Sequence, residues 1–438
     1  MDIELITLLS VALFVLLLML GVPFAFAMGG IAVLLVLILW GPARLPIIAS
    51  RVFTIMLNDT LVAIPMFIFM ASILERSGIV SDAYEAAHVW MGPLKGGLAI
   101  ATIVICTIMA AMVGVIGASV TSMGLIALPN MLRRGYDKKL TLGTICAGGS
   151  LGTLIPPSVV FIVYGMIAGE SVGKLFMSGI VPGLLLSALF IGYISIRCYL
   201  NPSLGPALPA EERMLRLREK LSHLKSLIFP FILIICVLGS IFFGIATPVE
   251  ASGVGCAGAI VCAAINRRLS WRMIAGSLYP TLSISCMVLW CMFGASAFIG
   301  VYSLAGGNQF MEKFIVGLQL TPWGIIIASQ ILFLFMGCLV DWLAILMLAG
   351  PILFPIVRGL GFDMVWFGTI FVMNIQLSYL TPPVGPALFY LKGVAPPEVT
   401  MRDIWKSVPP FLLLQALGLI LVLLIPDIAL WLPKKMIK

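Results

Sequence analysis

Charge is what this chain has least of. Only 10% of its 438 residues are Asp, Glu, Lys or Arg, against about 25% in a soluble domain. Hydrophobic residues reach 61%, where about 45–50% is usual. This balance excludes a soluble enzyme and a disordered chain. It also excludes a nucleic-acid binder despite the formal net charge of +8, because the 26 Lys and Arg residues stand in short clusters between apolar runs, as in integral membrane proteins. His88 and His223 are the only histidines; both are placed in polar connecting segments, so a histidine-centred metal or acid–base site has little material. None of the nine cysteines forms a CxxC pair, which leaves no zinc site or disulfide framework to expect. There is no phosphate-binding glycine loop and no nucleophile–base constellation. The N-terminus lacks basic residues: MDIELITLLS carries Asp2 and Glu4 where a cleavable signal peptide is basic. The first span is therefore expected to be retained.

What is present is apolar sequence in blocks, at about 4–20, 22–40, 59–75, 98–131, 140–166, 179–200, 227–246, 248–265, 276–303, 323–357, 365–391 and 408–432. A span takes about 20 apolar residues, so the expected class is an all-α polytopic membrane protein with roughly ten crossings. Two blocks are too long for one span. They are interrupted by GVIGASVTS at 114–122 and by GCLVD at 337–341. These read as re-entrant hairpins at about 98–131 and 323–357, which a membrane tolerates only where protein or a wet cavity surrounds the break.

The polar segment 201–226 divides the chain into 1–200 and 227–438. A shift of 226 residues lays 118–164 on 344–390, with eleven of 47 positions identical, among them Gly124/Gly350, Gly135/Gly361, Asp137/Asp363, Pro156/Pro382 and Pro157/Pro383. Each half then holds about five spans and one hairpin, and an odd number inverts the second half relative to the first. The turn after the first hairpin has Arg133, Arg134, Lys138 and Lys139, its counterpart only Arg358. By the positive-inside rule the first hairpin opens to the cytoplasm, 201–226 is a cytoplasmic linker, and the second hairpin opens outside. Arg44, Arg51, Lys434, Lys435 and Lys438 then lie outside, against the rule; the repeat overrides them.

Inverted repeats with helices broken at mid-membrane mark secondary transporters. A helix that stops there offers free N–H groups to anions or free carbonyls to cations. The candidate stops are 114–122, GGSLGTLIPPS at 148–158, GCLVDW at 337–342 and SYLTPPVGP at 378–386. Each Pro-Pro bars helix continuation. Asp341 has no charged residue within 16 positions on either side, and an ionised carboxylate at that depth needs compensation. A sodium ion is the favoured partner; a proton-carrying acid and a structural acid are the alternatives. Sodium is a hard cation that takes oxygen ligands, as calcium does. Its candidate ligands are Asp341, Thr381 and Pro382 in one half and Gly117, Ser119, Gly149, Thr153 and Pro156 in the other. Thr121, Ser122, Ser158, Asn374, Gln376 and Ser378 are candidates for substrate, although Asn374 and Gln376 serve equally well as bonds between helices. Glu250, in TPVE, reads as part of a capping box. No Lys or Arg falls in a tip or break, so an anionic substrate would be met by helix N-termini, hydroxyls, amides and bound cations.

Segments spread over nearly the whole chain carry a resemblance: AIPMFIFMASIL at 63–74, GASVTS at 117–122, LPNMLRRGYD at 128–137, GGSLGTLIPPS at 148–158, YGMIAGESVGKLFMSGIVPGLLL at 164–186, GIATPVEASGVG at 244–255 and TPPVGPALF at 381–389. The chain resembles the large membrane subunit, DctM-like, of the tripartite ATP-independent periplasmic (TRAP) transporters. It departs at Val120 and Thr121, where acidic or small residues are more usual. The resemblance implies an elevator-type fold in the bacterial inner membrane, with a scaffold and a moving domain that holds both hairpins, driven by Na+ and not by ATP. It implies a separate small four-helix membrane subunit, a periplasmic substrate-binding protein, and a small carboxylate, such as a C4-dicarboxylate, as substrate. A stand-alone sodium/divalent-anion symporter is the second reading. A structural membrane scaffold would account for the hydrophobicity but not for the duplicated breaks.

Overall fold

The computed structural model describes residues 2–207 and 217–436. Every regular element among the described residues is helical. The first half runs α1 (Ile3–Met19), α2 (Phe24–Leu39), α3 (Pro46–Met56), α4 (Ala63–Arg76), α5 (Ile79–Met91), α6 (Gly97–Val113), α7 (Ile116–Arg133), α8 (Lys138–Ser150), α9 (Val159–Ala168) and α10 (Val172–Leu200). The second runs α11 (Leu217–Phe242), α12 (Pro248–Ile265), α13 (Trp271–Leu304), α14 (Gly307–Gly317), α15 (Pro322–Gly337), α16 (Trp342–Gly359), α17 (Met364–Leu380), α18 (Pro386–Val394), α19 (Met401–Ser407), α20 (Pro409–Leu424) and α21 (Asp427–Leu430). Of the segment 201–226, residues 208–216 lie outside the described residues, and the linker expectation falls partly on them.

The 226-residue shift carries through the elements. It moves 116–133 onto 342–359, the bounds of α7 onto those of α16. The identical glycine and aspartate of the repeat have a local cause. Gly135 and Gly361 take positive φ, at 74° and 83°, and end α7 and α16 in the same way. Tyr136 N–H donates to Met131 O and Gly135 N–H to Leu132 O, as Phe362 N–H does to Val357 O and Gly361 N–H to Arg358 O. A side chain at that φ is strained, so glycine holds the position. Two residues on, Asp137 and Asp363 cap the next helices, accepting from Leu140 N–H at 2.8 Å and Val365 N–H at 2.8 Å. Glu250 completes the capping box with Thr247 at the start of α12.

Packing between halves is reciprocal. α2 lies on α13 as α12 lies on α4, and α7 lies on α18 as α16 lies on α9. Gln376 Nε2 donates to Ser150 Oγ at 3.1 Å, and 376 is 150 shifted by 226, so a residue meets its own counterpart on the pseudo-two-fold axis. Helices α1–α5 with α11–α14 form one group, and α6–α10 with α15–α20 the other; α5 and α4 on α6 and α13 on α16 join them, α5 on α6 most extensively.

Among the described residues four helices are long and apolar enough to cross a membrane, and two bent pairs raise this to six. The sequence expectation of roughly ten counted apolar runs. The breaks divide those runs into helices of 10–17 residues, several short of a full span. The first half's bent span, 42–76, turns by 61°, whereas its counterpart α13 is continuous over 34 residues, about 50 Å at 1.5 Å per residue. His88 sits inside α5, and His223 falls within α11, not in connecting segments.

Candidate functional site

The first tip is narrower than the sequence suggested. The helix breaks only at Gly114–Val115, and GASVTS is the start of α7. The reason is local: Thr121 Oγ1 donates back to Gly117 O at 2.7 Å, which satisfies the hydroxyl inside its own helix. Gly114 has φ 62°, and a Cβ there would strike the Pro157 carbonyl, so the tip is pressed onto the α8–α9 break. Val115, the N-cap of α7, has no side-chain bond to the helix. Ser158, the N-cap of α9, likewise gives none, because its hydroxyl donates to Thr153 O at 2.6 Å. Both helix starts therefore keep free N–H groups and the partial positive charge that goes with them.

The second tip differs in chemistry. Position 115 corresponds to 341, so the bare cap Val115 is matched by Asp341, the N-cap of α16. Its carboxylate accepts from Leu343 N–H at 3.5 Å and from the Tyr379 hydroxyl at 3.2 Å. Tyr379 in turn occupies the position equivalent to Thr153. Among the described residues no Lys or Arg pairs with Asp341. Both breaks contain a cis Pro-Pro bond, at 156–157 and 382–383.

These pieces meet at a cavity of about 670 Å³ between α4, α7 and α13. Of the residues singled out from the sequence, Gly117, Ser122, Thr153 and Asp341 line it. Asp341 is exposed, and it is onto this cavity that it opens. Gly117 lets the Tyr390 ring close over the start of α7, with ring carbon 3.2 Å from where a Cβ would stand. Ser119, Gly149, Pro156, Thr381 and Pro382 are not among the residues that line the cavity. Ser119 faces Gly152, Gly149 packs on Val120, and Thr381 Oγ1 donates to Leu377 O at 2.9 Å. Thr121, Ser158, Asn374, Gln376 and Ser378 are not brought to the cavity. Asn374 Nδ2 donates to Gln330 O and Oε1 at 2.8 and 2.9 Å, joining α17 to α15. Gln376 holds Ser150 on the axis, and Ser378 Oγ donates to Ile375 O.

Sequence reasoning passed over Glu75, Arg76, Tyr379 and Tyr390, which all line the cavity. Ser122 Oγ donates to Glu75 Oε1 at 2.6 Å, so one of the substrate candidates is engaged by an acid. Arg76 adds a basic group to the cavity wall from the end of α4, which agrees with the absence of Lys and Arg from the tips and breaks. The signal was the pair Glu-Arg directly after AIPMFIFMASIL, which reads as span-end charge because nothing in one segment shows that this end faces inward.

An all-helical membrane protein whose two related halves bring broken helices to one cavity belongs to the transporters. Its overall fold is similar to the solved YdaH transporter of Alcanivorax borkumensis (TM-score 0.65, 13% identity, 96% of this chain and 98% of that one) and to MtrF of Neisseria gonorrhoeae (TM-score 0.58, 13% identity, 86% and 81%). The chain belongs to the family described as tripartite ATP-independent periplasmic transporter, DctM component, whose model matches residues 11–428. It is similar to the C4-dicarboxylate TRAP transporter large permease protein DctM of Pseudomonas aeruginosa, 33% identical over 92% of this chain and 93% of that protein. It is also similar to the ectoine/5-hydroxyectoine large permease UehC of Ruegeria pomeroyi, 29% identical over 95% and 96%. The isethionate permease protein DctMQ of Oleidesulfovibrio alaskensis is 32% identical over 95% of this chain but only 64% of its own length. The chain is thus a large permease subunit and not an enzyme, integral to the bacterial inner membrane. The family works with a small subunit and a substrate-binding protein.

Proposed function

We propose that this permease imports a small carboxylate supplied by a periplasmic binding protein, driven by sodium, with α6–α10 and α15–α20 moving as one body against the other helices. The observation that carries this reading is the meeting of both tips at one cavity with opposite local charge. The starts of α7 and α9 keep free N–H groups for an anion, while Asp341 and Tyr379 present hard oxygens to a cation. Gly117, Ser119, Gly149, Thr153 and Pro156 in one half, and Asp341, Thr381 and Pro382 in the other, would serve as backbone or hydroxyl contributors around the two breaks. Movement of one helix group past the other would carry the cavity across the bilayer, and reciprocal packing of the halves provides two related arrangements for it.

The test is uptake of labelled acids into proteoliposomes holding the permease with and without its small subunit and binding protein. Uptake is expected only from the complete system and only with an inward sodium gradient. Robust uptake by the permease alone would favour a stand-alone symporter, and gradient-independent binding without uptake would sink the transport reading.

A further inference from the structure

Under the 226-residue shift α14 is the counterpart of α5, yet the two helices have different surroundings. Ile79, Val80, Ala83, Tyr84 and Ala86 of α5 are buried, and α5 lies along α6. Among the described side chains of α14 only Gly307 is buried. This helix does not lie along α15; it touches α1, α13 and α16 over short stretches. Beneath it runs a groove of about 240 Å³ against α15 and α16. The positions on α6 and α7 that correspond to its floor are Ala99, Thr102, Ile103, Cys106, Met123 and Ala127, and all are 0% exposed. In the groove, Leu332 stands where Cys106 does and is 43% exposed. The space that α5 closes in the first half is therefore open in the second.

We propose that this groove holds one acyl chain of a membrane phospholipid. Met311, Phe314, Ile315 and Leu318, spaced at i, i+3, i+4 and i+7, line it from the α14 side, while Gln309, Glu312 and Lys313 are exposed. A helix with that pattern, whose apolar side is not seated on protein, lies on lipid in the plane of the membrane surface. The groove offers water nothing. Its one polar side chain, Ser329, donates its hydroxyl to Ile326 O at 2.7 Å, and a trapped water needs several polar partners. A helix from a partner subunit does not enter either: at about 10 Å across, three turns occupy about 1,000 Å³. An acyl chain is slim, wholly apolar and present all around the protein, and it gains by burying each methylene against these walls. Phe314, 55% exposed, and Leu332 leave the groove open sideways for its entry. Because α14 belongs to one helix group and α15 and α16 to the other, the chain lies in the seam between them.

The permease is placed in nanodiscs, with and without its small subunit, together with a phosphatidylethanolamine that carries a photoreactive diazirine near the end of one acyl chain. After irradiation, labelled residues are located by peptide mass spectrometry. Leu8 of α1, 66% exposed, reports ordinary surface lipid. Ala349 and Leu353 line the groove but are each only 7% exposed, so only a chain inside it reaches them. They are expected to carry label at a level comparable with Leu8. Phe333 and Leu346, each 1% exposed and outside the groove, are expected to carry none. Ala328→Phe, at an exposed lining position, fills the groove and is expected to lower the label on Ala349 and Leu353 about tenfold while leaving Leu8 unchanged. Leu332→Ala widens the groove and is expected to raise it. Absence of label from Ala349 and Leu353, or equal label in Ala328→Phe, overturns the proposal. Label found with the permease alone but lost when the small subunit is present gives the groove to that subunit and overturns it as well.

Discussion

Asp341 stands isolated from other charge along the chain, and in the fold a hydroxyl from Tyr379 and an amide from Leu343 face it. Two hydrogen bonds, one of them long, only partly replace the hydration of a carboxylate, which leaves room for a cation. Under the sodium reading, Asp341→Asn is expected to fold normally and to shift the sodium dependence of uptake to higher concentrations. Tyr379→Phe is expected to shift it by less, since the carboxylate remains. Initial uptake rate against sodium concentration is the measurement. A wild-type sodium curve in Asp341→Asn, with sensitivity to a pH gradient lost, would make the residue a proton carrier. Glu75 and Arg76 show the opposite case. They were invisible because a charge at a span end faces water or a cavity according to helices that are distant in sequence.

Break positions at the level of elements were legible where the chain itself enforces them. Each Pro-Pro stops a helix without help, and GCLVD coincides with the end of α15 and the cap of α16. The first tip was read too widely because Ser and Thr suggest a break, yet in α7 they bond to their own helix carbonyls. Contacts within and between helix groups should respond differently to substitution. Gly149 packs on Val120, whose backbone is 3.0 Å from a Cβ built there; both sit in the group carrying the tips. Gly149→Val should therefore destabilise by about 1–3 kcal/mol, seen as a lower unfolding temperature. The Ser122–Glu75 bond instead joins α7 to α4 across the groups. If the groups slide, it breaks in every cycle. Ser122→Ala should cost about 0.5–1.5 kcal/mol while changing the uptake rate at saturating substrate. A loss of stability as large as that of Gly149→Val, with the rate per folded molecule unchanged, would mean that α4 and α7 move as one unit.

The repeat of the whole molecule was open to simple arithmetic, since eleven identities at one shift sit where turns and breaks leave little choice of residue. The cavity was not, because its wall gathers side chains from α4, α7, α13 and both breaks, and no spacing in one segment encodes that meeting. The expected orientation in the bilayer rests on the repeat together with the basic turn. On the inverted-repeat reading, an odd number of crossings per half would put the turns at Gly135 and Gly361 on opposite faces, with Arg133, Arg134, Lys138 and Lys139 expected to draw the first to the cytoplasm. Single-cysteine labelling tests this, and the structure selects the positions. Tyr136 and Met364 are buried, whereas Arg133 and Leu360 are exposed at the two turns. The exposed native thiols Cys236 and Cys286 must first be replaced. Arg133→Cys is expected to react with a membrane-impermeant maleimide only after the cytoplasmic face is opened, and Leu360→Cys in intact spheroplasts. Labelling of both from the same face would refute the inverted arrangement, and with it the premise that the two tips approach the cavity from opposite sides of the membrane.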